Sequence, residues 1–285
     1  MSLQGKTIIM SGGSRGIGES IALRAAADGA NVALLAKTTQ PHPKLPGTIY
    51  TAAEAIEKAG GQALPLVGDV RDDEFVASAV AQTAEKFGGI DIVVNNASAI
   101  DLTDSETIPM KKYDLMTQIN TRGAFLLSRC AIPHLRQSDN PHILTLSPPI
   151  LLDEKWFNGF TAYTIAKYGM SLVTLGLAGE LREDGVAVNS LWPRTAIDTA
   201  AVRNIVAPGE EKRSRTPQIM ADAAYAILTT PSRERTGQLL IDDDVLEAAG
   251  VTDYDQYLLP GATDADLALD FWVEPKGDVG NFSLH

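Results

Sequence analysis

Apolar and polar positions along the 285-residue chain alternate between two rhythms from one end to the other. Short, nearly continuous apolar runs read as strands: Thr7–Met10, Asn31–Ala36, Gln62–Val67, Ile90–Val94, His142–Leu146, Val186–Trp192 and Gly237–Ile241. Between them apolar residues recur every three or four positions, as on one face of a helix. Such stretches cover Glu19–Ala27, a segment resuming near Thr48, Asp72–Phe87, and a segment with Tyr163 and Lys167 that runs to about Arg182. Another spans Pro217–Thr230. Pro109 is placed to open a long helix that carries Asn120 in its middle and reaches about Arg136. Thr51 and Glu54 have the spacing of a capping box. The Pro-rich stretch Thr38–Gly47 fits neither a helix nor a central strand, and Pro208-Gly209 marks a mobile-looking segment. Strands alternating with helices predict a parallel sheet covered by helices on both faces. Ile90–Val94 is almost wholly apolar, as a strand buried on both sides should be.

Composition adds little to the fold and more to the list of exclusions. No apolar run approaches the ~20 residues that cross a bilayer, and no basic-then-apolar signal opens the chain. Cys130 is the one cysteine, which rules out an intrachain disulfide framework and fits a reducing, cytoplasmic setting. The four histidines lack ligand spacing, so no metal site is expected. A net charge of −12 argues against nucleic acid as a partner. The surplus is local: residues 236–275 hold ten acidic side chains and no Lys or Arg, so the body is close to neutral. With no repeat and no linker, one domain over 1–241 is expected, followed by an acidic tail over 242–285. Leu246, Tyr254, Tyr257, Leu258, Phe271 and Trp272 make that tail too apolar for a solvated arm, and packing on the body or on a neighbouring subunit is expected.

The candidate chemistry lies where strands end. After the first strand the chain reads Ser11-Gly12-Gly13-Ser14-Arg15-Gly16-Ile17-Gly18 and then turns helical. Glycines allow close backbone approach, and a helix start offers free N–H groups to a pyrophosphate, although the same residues also suit an ordinary tight turn. Lys37, Asp69, Asn96, Ser147 and Pro193 fall at the carboxyl ends of later strands, where an open α/β sheet binds its ligands. Tyr163 and Lys167 are four apart and share one helix face. Ile150, Leu151, Leu152, Trp156, Phe157 and Trp192 fit either an apolar substrate wall or plain core packing.

Ser11-Gly12-x-x-x-Gly16-x-Gly18, Asn95-Asn96-Ala97, Asn120, Ser147 and Tyr163-x-x-x-Lys167 resemble, in order and spacing, the short-chain dehydrogenase/reductase superfamily. The likeness covers about residues 5–241. Lys37-Thr38-x-Gln40-Pro41-His42-Pro43-Lys44-Leu45, Ser147-Pro148-Pro149, Ala162 to Ser171, and Trp192-Pro193-x-Thr195-Ala196-Ile197 are similar to its hydroxysteroid dehydrogenase-like branch. Some members of that branch carry a sterol-carrier domain after the reductase, and only the reductase domain is expected in this sequence.

The resemblance implies a single doubly wound Rossmann domain with a central parallel seven-stranded sheet. It implies Tyr163 as acid/base, Lys167 as its electrostatic partner and ribose ligand, Ser147 as donor to the substrate oxygen, and Asn120 as holder of a relay water. A phenol titrates near 10, so phenolate at neutral pH needs roughly 4 kcal/mol of stabilisation. Gly12, Ser14, Arg15, Gly16, Ile17, Gly18, Lys37, Asp69, Val70, Asn96 and Ala97 are the implied cofactor contacts. The second strand ends in Ala36-Lys37 with no acid, and Arg15 lies in the glycine turn. Two cations favour a 2′-phosphate and therefore NADP, if they do not simply face solvent.

The expected activity is NADP(H)-dependent interconversion of a carbonyl and a secondary alcohol on an apolar, lipid-like small molecule. A 3-oxoacyl thioester reductase and a non-catalytic NADP(H) sensor are the alternatives. A homodimer or homotetramer through the helices bearing Asn120 and Tyr163 is implied too. The chain departs from the family pattern at Ser11 for Thr, Ser98 for Gly, Arg194 for Gly and Asp243-Asp244 for Gly-Gly.

Overall fold

A computed structural model describes residues 1–41, 47–206 and 208–276. His42, Pro43, Lys44 and Leu45 of the branch motif, and residues 277–285 of the tail, lie outside the described residues. Seven parallel strands form one sheet in the order β3-β2-β1-β4-β5-β6-β7. They are β1 Thr7–Ser11, β2 Asn31–Ala36, β3 Gln62–Val67, β4 Ile92–Asn95, β5 His142–Thr145, β6 Ala187–Trp192 and β7 Leu239–Ile241. The helices are α1 Gly16–Ala26, α2 Ile49–Lys58, α3 Asp73–Phe87, α4 Met110–Thr117, α5 Gly123–Leu135, α6 Thr161–Glu180, α7 Gln218–Leu228 and α8 Asp242–Ala248. The single Rossmann domain implied by the sequence is the fold observed.

Successive side chains of a strand point to opposite faces, and both faces here are apolar. Ile8, Met10, Val32 and Leu34 pack with Ile21 and Ala25 of α1, Ile56 of α2 and Ala224 and Ile227 of α7. Ile9, Ala33, Leu35 and Val93 pack with Val76 and Val80 of α3, Leu127 of α5 and Leu177 of α6. Strand order reverses between β1 and β4, so the loops that follow these two strands diverge to opposite faces and leave a crevice at their carboxyl ends.

One local expectation is corrected and another is refined. The capping box uses Thr48 and Thr51 in place of Thr51 and Glu54: the chain is already helical at Ile49, and Thr48 N–H donates to Thr51 Oγ1 (2.8 Å) while Thr51 N–H donates to Thr48 Oγ1 (3.1 Å). The long helix expected after Pro109 runs unbroken from Met110 to Leu135, with Asn120 near its middle, and changes winding once. Between α4 and α5 the residues Gln118–Arg122 form a π-helical turn. Its physical reason is Asn120, which is fully buried and bonds both backbone groups of Ala99: Oδ1 accepts the Ala99 N–H (2.8 Å) and Nδ2 donates to its carbonyl (3.1 Å). The extra residue in the turn lets the amide reach the loop after β4.

The chain beyond β7 turns into α8 and then returns across the sheet end. Leu269 bridges to Thr195, and Ala196 N–H donates to the Ala268 carbonyl (2.9 Å). A third apolar cluster results, built from Trp156, Phe160, Tyr163, Tyr168, Trp192, Phe271 and Trp272. Trp272 is fully buried and sits at φ 60°, the only non-glycine at positive φ among the described residues.

Candidate active site

One cavity of about 620 Å³ opens over the carboxyl ends of the strands. Its first end is the glycine turn. Ser11 Oγ accepts the N–H groups of Asn96 (3.2 Å) and Ala97 (3.1 Å), which ties the loop after β4 to the end of β1. A Cβ on Gly12 would lie 2.8 Å from Ala97 Cα, and one on Gly18 would lie 2.5 Å from Asn96 Nδ2. Those two glycines are therefore required by contact between the loops. Gly16, by contrast, has φ 57° and only Thr199 within reach of a Cβ. Arg15 precedes α1 in extended conformation and supplies no side-chain cap, so the first-turn N–H groups of α1 remain open to an anion. The Arg15 guanidinium donates to the Gly47 carbonyl (3.1 Å), while its Nε is buried without a partner among the described residues.

Lys37 and Asp69 stand at the ends of β2 and β3. Lys37 Nζ bonds Asp69 (2.9 Å), which also takes Arg71 (2.6 Å). The Arg71 guanidinium, with Lys37 assisting, holds the Asp69 carboxyl well below the usual carboxylate range. Lys37 remains more than half exposed, so this ion pair is open to exchange.

The other end of the cavity is buried. Tyr163 and Lys167 lie on one face of α6 and both line it. Lys167 Nζ donates to the Leu146 carbonyl (2.8 Å) and lies 4.9 Å from the centre of the Trp192 ring. Burial pushes its ammonium down to about 7, against the pull of Asp270. Burial, with Asp270 adding to it, raises the Tyr163 phenol well above its usual range, while a hydrogen bond with Ser98 opposes the shift. Tyr163 is thus held as the neutral phenol, a proton donor in waiting.

Of the residues singled out from the sequence, Gly12, Ser14, Arg15, Gly16, Ile17, Lys37, Asp69, Val70, Asn96, Ala97, Tyr163 and Lys167 line this cavity. Gly18 is buried behind the turn, and Asn120 is tied to Ala99 behind the wall. Ser147 is fully buried and is not a lining residue; its hydroxyl has no partner among the described residues. The apolar wall also differs from expectation. Ile150, Leu151, Leu152, Trp156 and Phe157 do not line the cavity, because Trp156 and Phe157 pack into the third cluster and Leu152 is exposed. Ile100, Ile197, Val202, Ile205, Val206 and Phe271 line it instead, alongside Trp192.

Three features escaped the sequence reading. Asp270 and Phe271 reach the cavity from the tail, for which the only signal was the tail's aromatic content. Arg194, nearly buried, is surrounded by that acidic run: its Nε bonds Asp243 (2.6 Å), one terminal nitrogen bonds Asp244 (2.7 Å) and the other the Glu274 carbonyl (2.9 Å). Asp242 accepts the Arg194 backbone N–H (2.9 Å). The arginine in the loop after β6 and the three aspartates are complementary halves of one lock.

Comparison with known proteins places this arrangement. The family model described as short chain dehydrogenase matches residues 6–209. A hydroxysteroid dehydrogenase-like protein 2 of Danio rerio is 58% identical over 286 residues, covering 99% of this chain and 68% of the relative. That of Homo sapiens is 51% identical, covering 95% of this chain and 65% of the relative. The chain therefore spans about two thirds of the length of these curated relatives. A crystal structure of a short chain dehydrogenase from Mycobacterium thermoresistibile is 57% identical with a TM-score of 0.91, covering 98% of this chain and all of that one.

Proposed function

The chain belongs to the short-chain dehydrogenase family, and from that premise we propose that it is an NADP(H)-dependent oxidoreductase interconverting a carbonyl and a secondary alcohol on an apolar small molecule. The observation that carries the reading is one cavity with two unlike ends, an anion-seeking turn at Gly12–Gly18 and a buried Tyr163–Lys167 pair at the other. A dinucleotide has matching ends. The fit is supported by the buried, unpartnered Arg15 Nε and by the open N–H groups of α1. Lys37 at the end of β2, with no acid in that position, favours a 2′-phosphate over bare ribose hydroxyls. When bound, the reduced nicotinamide supplies the hydride.

The chain's own residues do the rest. Tyr163, held as a neutral phenol, gives its proton to the carbonyl oxygen as negative charge grows there. Lys167, poised to carry a positive charge, stabilises the phenolate that remains. Asn120 holds the loop after β4 through Ala99 and so fixes that side of the cleft. Ile205, Val206 and Phe271 exclude water and favour an apolar substrate. Residues 242–276 are proposed to be part of this same functional unit, and the helices bearing Asn120 and Tyr163 to carry the subunit contact. Exposed Phe125, Ile165, Leu172 and Leu175 on α5 and α6 support that contact.

Screening NADPH and NADH against a carbonyl panel tests the proposal, with Tyr163→Phe as control. Turnover should fall by about three orders of magnitude or more in that variant while cofactor affinity is kept. Tight NADPH binding with no absorbance loss at any carbonyl would favour the sensor.

A further inference from the structure

Lys37 and Asp69 both line the cavity where β2 and β3 end, and two cations compete for the Asp69 carboxylate. Lys37 reaches it with one contact, Nζ to Oδ2 (2.9 Å). Arg71, which does not line the cavity, grips it as a fork: Nε donates to Oδ1 (3.0 Å) and a terminal nitrogen to Oδ2 (2.6 Å). The Arg71 backbone N–H also donates to Oδ1 (3.0 Å). A planar guanidinium matches a carboxylate with two parallel bonds, whereas an ammonium acts as a point charge. The turn that presents the fork is braced. Asp72 N–H donates to the Asp69 carbonyl (3.0 Å), and the Asp72 carboxylate caps α3 through the N–H groups of Glu74 and Phe75 (3.0 Å each). Arg122, from the π-helical turn, donates to the Arg71 carbonyl (2.9 Å) and bonds Asp73 (2.6 Å). Val70, between Asp69 and Arg71, is buried so close to Gly123 that a Cβ there would lie 3.1 Å from its Cγ2.

Counting charges gives the consequence. One carboxylate balances one cation. With Arg71 holding Asp69, the Lys37 charge is surplus at the cavity wall, on a side chain that is 57% exposed and tied by a single bond. Without Arg71, Asp69 would hold Lys37 alone, and the pair would present no net charge to an incoming anion. Drawing Lys37 away would then strand a carboxylate beside that anion, where like charges repel.

We propose that Arg71 is a positioning residue for cofactor choice: by neutralising Asp69 it frees Lys37 to meet the 2′-phosphate of NADP(H). The inference rests on the NADP(H) reading above. Arg71 touches neither cofactor nor substrate and acts only through Asp69. A dinucleotide without the 2′-phosphate gains nothing from a freed Lys37, so loss of Arg71 should weaken NADPH and hardly affect NADH. Damage to the turn would lower both affinities alike, which separates positioning from mere support of the fold.

The test is isothermal titration of NADPH and NADH onto wild type, Arg71→Met, Arg71→Lys, Asp69→Asn and the Asp69→Asn/Arg71→Met double variant, with no turnover needed. Arg71→Met should lower the NADPH-to-NADH affinity ratio about five- to tenfold, with NADH changed less than about twofold. Arg71→Lys keeps the charge without the fork and should recover most of the ratio. Once Asp69 carries no charge there is nothing left to neutralise. The double variant should therefore match Asp69→Asn alone in that ratio, within about twofold, whatever the substitution does to both affinities in common. The inference is overturned if Arg71→Met leaves the ratio unchanged or lowers both affinities equally, or if its effect persists in the Asp69→Asn background. A wild type that binds NADH as tightly as NADPH removes the NADP(H) reading itself. A wild type that prefers NADPH, with the ratio unmoved in Arg71→Met, removes the role of Arg71 alone.

Discussion

Trp272 is where stability and catalysis meet, and replacing it gives an inverted ranking of Ala and Gly. The side chain is fully buried, with ring centres of Phe271 (5.4 Å), Tyr163 (5.5 Å), Trp192 (5.6 Å), Tyr168 (5.7 Å) and Phe160 (5.9 Å) around it. Its indole N–H bonds the Trp156 carbonyl (2.9 Å). Truncating a buried tryptophan to alanine costs about 3–5 kcal/mol, and loss of the indole hydrogen bond to the Trp156 carbonyl adds about 1 kcal/mol. The backbone at this residue is left-handed, with φ 60°. A Cβ there costs roughly 1–2 kcal/mol that glycine does not incur, against the ~1 kcal/mol by which glycine's chain entropy disfavours it elsewhere.

Trp272→Gly should therefore be at least as stable as Trp272→Ala, by up to about 1 kcal/mol, the reverse of the order at an ordinary position. Urea unfolding followed by circular dichroism measures both. Either variant should lose carbonyl turnover more than dinucleotide affinity, because the Tyr163 ring and the Asp270 backbone lose their support while the glycine turn is untouched. Trp272→Ala clearly more stable than Trp272→Gly would show that the segment does not pass through the left-handed region.

Three further outcomes follow from the geometry. Lys37→Ala should weaken NADPH about tenfold, or 1.4 kcal/mol, and NADH hardly at all; equal losses by isothermal titration would refute the 2′-phosphate argument. Gly18→Ala should sharply reduce binding of either dinucleotide in the same titration, since its Cβ would sit 2.5 Å from Asn96 Nδ2 and 2.8 Å from the Gly12 carbonyl; unchanged affinity would mean the turn yields. His142 is buried against the Thr230 carbonyl (3.1 Å), and burial pushes its imidazole down to about 4. The unfolded chain, titrating near 6.5, binds the proton first, so stability is lost as pH falls from there towards about 4. The loss by about pH 5 is roughly 2 kcal/mol, and His142→Gln should show a correspondingly flatter acid limb in urea midpoints.

Most of the sheet was legible because a parallel strand covered on both faces must be apolar throughout, as Val93-Val94 and Ile143-Leu144 are, and because glycines at loop contacts admit no other residue. The helix face shared by Tyr163 and Lys167 follows from spacing alone. What was not legible depends on contacts between distant residues. The π-helical turn at Asn120 exists because its amide reaches Ala99, 21 residues away, and no local pattern encodes that. Trp156 and Phe157 looked equally suited to a substrate wall or a core, and Trp272, more than a hundred residues later, drew them into the core. The acidic run Asp242–Asp244 carries no sign that its partner is Arg194, which stands beyond β6.

That last contact explains why so acidic a tail can pack beside the cavity at all. Asp242 is itself buried, and burial with Asp243 beside it pushes its carboxyl up to about 7. Asp270, 28 residues further along the chain, is likewise buried and pushed up to about 7. A positive charge set beside Tyr163, such as an oxidised nicotinamide carries, would lower the phenol and the Asp270 carboxyl together. The two directions of the proposed reaction then call for different protonation states of Tyr163: phenol to reduce a carbonyl, phenolate to accept an alcohol proton. One site can run both ways only if the Tyr163 phenol yields its proton when that positive charge arrives.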